Sequence, residues 1–270
     1  MNYTERFGKL LKQVREESPL VHHITNLVVM NDTANVTLHL GARPVMALAP
    51  LEAPQMVAHA RALVLNLGTL DEAVLAAAER AGEEANQRGV PVVLDPVGVG
   101  ATPYRTKGIL GVLGRVKPTV IRGNAGEIGV LAGAGGMVSG VDSSSRAEEM
   151  VEAAHLLARA RGCVVAMTGK QDLVTDGERT LWVANGHPLL TTLTGTGCMA
   201  TTAVAVFLST GEDPLIATAA ALAAYGLAAE QAAKEARGPG SFRIALQDAL
   251  YHLGPEALAR GARVNEASTA

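Results

Sequence analysis

The sequence predicts an α/β fold: a mostly parallel central sheet, helices on both faces and an antiparallel hairpin at one edge. Three observations carry this. The stretch 63–67, apolar but for Asn66, and the unbroken apolar runs 92–94 and 163–167 read as strands buried on both faces, which is what parallel sheets need. Helical stretches stand between them, such as 71–88, acidic early, basic late and stopped by Gly89. Asp176-Gly177-Glu178, between the strand-like runs 172–175 and 179–183, is a hairpin signature. With no internal repeat or linker, residues 1–270 read as one domain.

Composition narrows the class. At 270 residues and 48% hydrophobic content the chain can bury a large core, and with 3% aromatics that core is built from closely packed Ala, Gly, Val and Leu. A net charge of −3 and the absence of a basic run argue against nucleic acid as a partner. Cys163 and Cys198 are the only cysteines, and neither belongs to a CxxC pair or a zinc-spaced cluster. A reducing cytoplasm fits that usage. The first 17 residues carry charges throughout, unlike a signal peptide. The apolar stretch 214–229 is Ala-rich and short for a membrane span, so a buried helix is expected there.

Taken in order, 3–16 has helical apolar spacing and 19–24 reads as a short strand. Adjacent His22 and His23 point to opposite sides of that strand, so they are not expected to share a metal; one packed and one surface-facing is the expectation. Asn26 stands where it would cap a helix over 27–39, and its place near a strand end also makes it a site candidate. A second strand, 44–49, carries Met46, and 54–62 reads as helix. The strand 63–67 ends at Gly68, where a ligand can approach the backbone. Next, 92–94 ends at Asp95, beyond the carboxyl end of a parallel strand, where ligands bind and a carboxylate can hold magnesium or its waters. After a helix over 104–116, the strand 119–121 leads into Arg122, a fixed positive charge suited to phosphate or, equally, to a surface ion pair. Asn124 and Glu127 share one face of the next helix and also fit a capping box. The Gly-rich stretch 133–140 reads as a loop and 142–161 as a helix. Cys163 is expected to be inert packing. Thr168 ends its strand where a hydroxyl can meet a nucleotide. Helices are expected over 201–209, 214–236 and 242–252, and the tail after Arg263 reads as frayed.

The stretch with most chemistry is Thr194-Gly195-Thr196-Gly197-Cys198-Met199-Ala200. Two glycines permit a tight turn and leave N–H groups uncovered. A helix starting near Gly197 points free amides and its positive dipole end at that turn, which can hold an anion. Cys198 in the first helical turn is a candidate thiolate. An anion hole beside an ionisable side chain suits phosphoryl transfer to a hydroxyl. The chain has no G-x-x-x-x-G-K-[ST], no G-x-G-x-x-G after its first strand and no G-x-S-x-G.

Several segments, in this order over nearly the whole chain, resemble the hydroxyethylthiazole kinases of the ribokinase-like superfamily. They are His23-Ile24-Thr25-Asn26, Pro44-Val45-Met46, Asn66-Leu67-Gly68-Thr69, Leu94-Asp95-Pro96-Val97-Gly98, Arg122-Gly123-Asn124-Ala125-Gly126-Glu127 and Gly195-Thr196-Gly197-Cys198. The resemblance implies transfer of the ATP γ-phosphate to 4-methyl-5-(2-hydroxyethyl)thiazole in thiamine salvage. It also implies magnesium and a homotrimer with thiazole pockets at its interfaces. By the same resemblance Arg122 and Thr168 match ATP-binding positions, and Met46, Gly68 and Gly195 match the thiazole pocket. Asn26 lies near both ligands, Asp95 and Glu127 match the residues that organise magnesium, and the amides from Gly195 through Gly197 to Cys198 match the anion hole. Most of the superfamily has Asp where Cys198 stands, so Cys198 is expected to position the hydroxyl and accept its proton late. Rival readings are a sibling kinase acting on an alcohol such as hydroxymethylpyrimidine, a non-catalytic binder, and a Cys198-dependent hydrolase, which would need a histidine such as His187 within reach.

Overall fold

The computed structural model describes residues 3–133 and 143–267, with side chains omitted for 143–147. The expected loop over 133–140 falls almost entirely outside the described residues. The chain opens with α1 (Tyr3–Glu17), β1 (Leu20–Ile24), α2 (Met30–Leu40), β2 (Arg43–Val45), α3 (Ala53–Val57), β3 (Ala62–Asn66) and α4 (Glu72–Arg88). It continues through β4 (Val92–Asp95), α5 (Pro103–Arg115), β5 (Val120–Asn124), α6 (Ala125–Leu131), α7 (Ser143–Arg161) and β6 (Val164–Thr168). The hairpin strands β7 (Asp172–Thr175) and β8 (Thr180–Val183) follow, then a 3₁₀ turn, Pro188–Thr192. Last come α8 (Thr196–Leu208), α9 (Pro214–Glu235), α10 (Pro239–His252), α11 (Pro255–Gly261) and β9 (Val264–Glu266).

All nine strands form one sheet in the order β2-β1-β3-β4-β5-β6-β7-β8-β9. The pairs from β2 to β6 are parallel and the rest antiparallel. Strand alternation splits the core in two. Val64, Val93, Val120, Ala166 and Val174 pack with α1, α2 and α8 to α11. Leu65, Leu94, Ile121, Val165 and Leu173 pack with α3 to α7. Because side chains alternate, Asn66, Asp95, Arg122, Thr168 and Asp172 all point to the α8 side.

Local chemistry explains the boundaries. Asp71 caps α4 through Val74 N at 2.7 Å, and Gly89, at φ 68°, ends it. Helices α8 and α9 are apolar all round because both are buried. Helix α9 is long and apolar enough to cross a membrane, yet 89% of its apolar window is buried inside the protein.

Four expectations change. Helix α2 starts at Met30 rather than 27, with Val29 as its N-cap and no side-chain cap; Asn26 Oδ1 accepts from Val28 N at 3.0 Å ahead of the helix, while its Nδ2 donates to Asn66. Helix α3 stops at Val57, since the chain must extend from Ala62 to pair with β1 and β4. His22 and His23 are both fully buried: the His22 ring meets the Ala47 carbonyl at 2.9 Å and the His23 ring meets the Thr37 hydroxyl at 3.1 Å. The stretch after Arg263 pairs with β8 as β9, following a short helix, α11, that apolar spacing alone did not reveal.

Candidate active site

The parallel strands deliver their last residues to one rim, and α8 begins over it. Register sets Asn66 beside Asp95, and Asn66 Nδ2 donates to Asp95 Oδ2 at 2.9 Å. Asn26, two residues past β1, donates through Nδ2 to Asn66 Oδ1 at 2.7 Å and to Cys198 Sγ at 3.5 Å. Thr201, one turn into α8, donates to the same Asp95 oxygen at 2.7 Å. Arg122 Nη1 stands 3.8 Å from it. Side chains from four strand ends and one helix thus form one connected polar chain at the base of the rim.

Arg122 is no surface ion pair: its side chain is 12% exposed and its Nη2 donates to the Thr168 hydroxyl. Gly197 makes room for it, since a Cβ there would lie 2.5 Å from Arg122 Nη1. Gly195 is required twice over: its φ is 80°, and a Cβ would lie 2.2 Å from Val29 Cγ1. Gly68 lets Asn26 settle, because a Cβ would lie 2.6 Å from Asn26 Nδ2. Met46 follows β2, one strand over from Asn26 on the same rim.

Helix α8 has no side-chain cap, and the Thr196 hydroxyl turns away to the Leu190 carbonyl at 2.9 Å. The first amide of the helix to find an acceptor is that of Met199, which donates to Gly195 O at 2.9 Å. Those of Thr196, Gly197 and Cys198 make no hydrogen bond among the described residues. Free amides, a helix dipole and Arg122 form an anion site.

Burial pushes the Asp95 carboxyl up to about 6, against the pull of Arg122 and the Thr201 and Asn66 hydrogen bonds. The same loss of solvent, with Asp95 nearby, raises the Cys198 thiol above its ordinary range, despite the two asparagines and Arg122. The thiolate expected at a helix N-terminus is therefore overruled by burial, and Cys198 is a thiol at neutral pH. Cys163, by contrast, sits in packing with its thiol pushed up to about 12. Asn124 and Glu127 form the capping box: Glu127 Oε2 accepts from Asn124 N at 2.9 Å, while Oε1 takes the Gly98 amide at 2.8 Å.

A cavity of about 660 Å³ is lined by the polar groups of Arg122 and Thr168, by Gly197, and by apolar Pro188, Leu190 and Leu222. Its wall at Asn185 is held by Glu230 and by the Gly261 carbonyl, and Gly226 admits it, since a Cβ there would lie 2.5 Å from the Asn185 backbone. Among the described residues, buried Arg122 Nε and the Tyr225 hydroxyl have no hydrogen-bond partner, and both residues line this cavity. His187 lines it too, with Nδ1 accepting from Leu189 N.

Reading the sequence missed Asn66, Thr201, Asp172 and Tyr225 as site residues. Asn66 had a signal, a polar residue ending an apolar strand, as Asp95 does. Thr201 had a weaker one, a hydroxyl one turn after Gly197 on the same helix face.

This arrangement has close relatives. The hydroxyethylthiazole kinase family model matches residues 11–256. Hydroxyethylthiazole kinase of Desulforudis audaxviator is 58% identical, with 98% of each chain covered. The hydroxyethylthiazole kinase structure from Pyrococcus horikoshii superposes with a TM-score of 0.90 at 44% identity, covering 97% of this chain and 99% of that one. A Staphylococcus aureus pyridoxal kinase in complex with AMP-PCP and pyridoxal has a TM-score of 0.57 at 19% identity over 77% of this chain and 88% of its own, a likeness of fold alone. Family match, near-complete coverage and the ribokinase-like sheet agree: the chain belongs to the hydroxyethylthiazole kinase family.

Proposed function

We propose that this enzyme transfers the γ-phosphate of ATP to the hydroxyethyl group of 4-methyl-5-(2-hydroxyethyl)thiazole, in thiamine salvage. The observation that carries this is the polar chain Cys198–Asn26–Asn66–Asp95, which reaches the uncapped N-terminus of α8 beneath Arg122. The 660 Å³ cavity takes the nucleotide: phosphates at Arg122, Thr168 and the α8 amides, base against the apolar lining. Thiazole lies on the opposite side of Cys198, against Met46, Gly68 and Gly195, with Asn26 between the two ligands.

The amides of Thr196, Gly197 and Cys198 and the Arg122 guanidinium hold the oxygens of the transferring phosphoryl group. The Cys198 thiol, fixed by Asn26, orients the substrate hydroxyl and accepts its proton late, because a loose transition state asks for little deprotonation early. Asp95 and Glu127 fit a magnesium ion held mainly through waters and phosphates. Both are oxygen donors, Asp95 Oδ1 makes no hydrogen bond among the described residues, and no cluster of three ligands is present among them. Magnesium bound there supplies neutralisation of phosphate charge.

Exposed Leu27 (75%), Val28 and Leu51 flank Asn26 and β2 on the thiazole side. This apolar surface supports a homotrimer whose active sites lie at subunit interfaces. One sheet running from Leu20 to Glu266 supports a single kinase domain, and two free cysteines fit a cytoplasmic enzyme.

The test is turnover. Purified protein is incubated with ATP, magnesium and hydroxyethylthiazole, with hydroxymethylpyrimidine as the competing alcohol, and ADP and phosphorylated products are followed by mass spectrometry. Thiazole phosphate formed only with magnesium is the expected result. Phosphorylation of the pyrimidine alone would move the substrate, and no turnover in protein that binds the thiazole would remove the activity.

A further inference from the structure

The nucleotide cavity is lined by one acidic residue, Asp172. It opens β7, and because Leu173 packs on the opposite face of the sheet, Asp172 points to the α8 and α9 side, as Thr168 does at the end of β6. Its Oδ1 accepts from Gly169 N at 3.0 Å, and Oδ2 makes no hydrogen bond among the described residues. The residue is half-buried, and loss of solvent lifts its carboxyl to about 6, against the Gly169 amide and Arg122, so it is ionised at neutral pH.

A carboxylate in a polyphosphate site repels the phosphates, and among the described residues Asp172 forms no ion pair with the lining cations Arg122 and Lys170, so its free oxygen suits a neutral donor. Its place along the cavity says which one. Thr168 and Arg122 mark the phosphate end, and Asp172 follows Thr168 directly across the turn that Gly169 begins. The apolar lining, suited to a base, comes from Pro188, Leu190 and Leu222, on other segments of the chain. The unit joining phosphates to base is ribose, whose vicinal hydroxyls are donors. We propose that Asp172 is a specificity residue whose free carboxylate oxygen accepts a hydrogen bond from the 2′- or 3′-hydroxyl, so that the enzyme selects ribonucleoside over deoxyribonucleoside triphosphates. The inference rests on reading the cavity as the nucleotide site.

The experiment compares kcat/KM for ATP, 2′-deoxy-ATP and 3′-deoxy-ATP, at saturating thiazole and magnesium, in the native enzyme and in Asp172→Ala, Asp172→Asn and Arg122→Ala. A hydrogen bond to a charged group is worth a factor of roughly 10 to 100. The native enzyme should disfavour at least one deoxy analogue by that factor. Asp172→Ala should bring the ratio close to unity with the KM for thiazole unchanged. Asp172→Asn keeps the Gly169 bond through its amide oxygen, so it holds the fold and should give an intermediate ratio. A native enzyme indifferent to both deoxy analogues overturns the proposal. So does a fall in activity by one common factor on all three nucleotides in Asp172→Ala, since a role only in the Gly169 turn would do that. Arg122→Ala separates the two levels. If it raises the KM for ATP while Asp172→Ala leaves the ratio alone, only the ribose assignment falls. If it leaves the KM for ATP unchanged, the nucleotide reading falls as well.

Discussion

Replacing Gly195 and Gly197 by alanine, one at a time, should produce opposite failures. At Gly195 the added methyl lies 2.2 Å from Val29 Cγ1, and Val29 is buried at the start of α2. The backbone there also has a φ of 80°. A left-handed alanine costs about 1–2 kcal/mol, and overpacking a buried contact adds roughly 1–3 kcal/mol. At about 2–4 °C per kcal/mol for a chain near this size, Gly195→Ala should lower Tm by somewhere between about 4 and 20 °C. At Gly197 the methyl instead meets the tip of Arg122, at 2.5 Å from Nη1 and 3.0 Å from Nη2. A guanidinium on a long stem can swing aside. Alanine is also the better helix former by about 1 kcal/mol, so stability should hold or rise. Arg122, however, would leave the mouth of the anion site, and losing one such donor costs about 100- to 1,000-fold in kcat. Thermal unfolding and a coupled ADP assay on both variants read the two effects. Equal destabilisation by the two substitutions, or full activity in Gly197→Ala, would refute the assignment of Gly197 to Arg122's place over α8.

Four further outcomes follow from the same contacts. Cys198→Ala should lose only part of kcat and Cys198→Asp should stay active; complete loss in both, with folding and thiazole binding intact, would make the thiol an obligatory base. Asp95→Asn should cut kcat by about 100-fold or more while Tm stays level or rises, because the amide oxygen still accepts from Asn66 and Thr201 and the buried charge is gone; a large fall in Tm would show that the charge stabilises the fold. The buried His23 is pushed down to about 3 by loss of solvent and by His22, while an unfolded imidazole takes its proton near 6.5. Its contribution is therefore whole above pH 6.5 and shrinks by about 1.4 kcal/mol per unit as pH falls toward 3, so urea unfolding of His23→Gln should show a correspondingly shallower loss between pH 6.5 and 4.5. Leu27→Asp should split the proposed trimer in analytical ultracentrifugation and raise the KM for thiazole; a native enzyme that sediments as a monomer would end the interface reading.

Much of the fold was legible because its signals are local. Apolar runs such as 63–65 and 92–94, bounded by turn residues, read as two-faced strands, and Asp176-Gly177 reads as a hairpin turn. What escaped was decided by partners distant in sequence. Val264–Glu266 carries no strand pattern of its own; it is a strand because β8 leaves an edge beside it. Asn26 has every local feature of a cap, and its oxygen does take the Val28 amide, but the helix begins only at Met30 and Asn66, forty residues on, accepts from its Nδ2. The histidine pair looked amphipathic because a strand alternates, yet here both faces are covered, by α2 on one side and by the chain around Ala47 on the other.

The site divides along the same line. Asp95, Arg122 and Thr168 could be named from sequence because each ends an apolar strand, and strand ends are where a parallel sheet meets its ligands. Thr201 and Asp172 could not, since a threonine in an apolar helix looks like packing and an aspartate before a hairpin strand looks like a turn residue. Asp172 becomes chemical through alternation across the sheet, which turns it to the face that carries α8, and Thr201 through its place one turn into α8, over Asp95. That face also explains why Cys198 is a poor thiolate in a position that ordinarily favours one. The connected side chains that hold it in place, Asn26, Asn66 and Asp95, bring burial and a carboxylate with them. A site built this way trades the acidity of its thiol for the placement of the hydroxyl it serves, and placement is what phosphoryl transfer through a loose transition state requires.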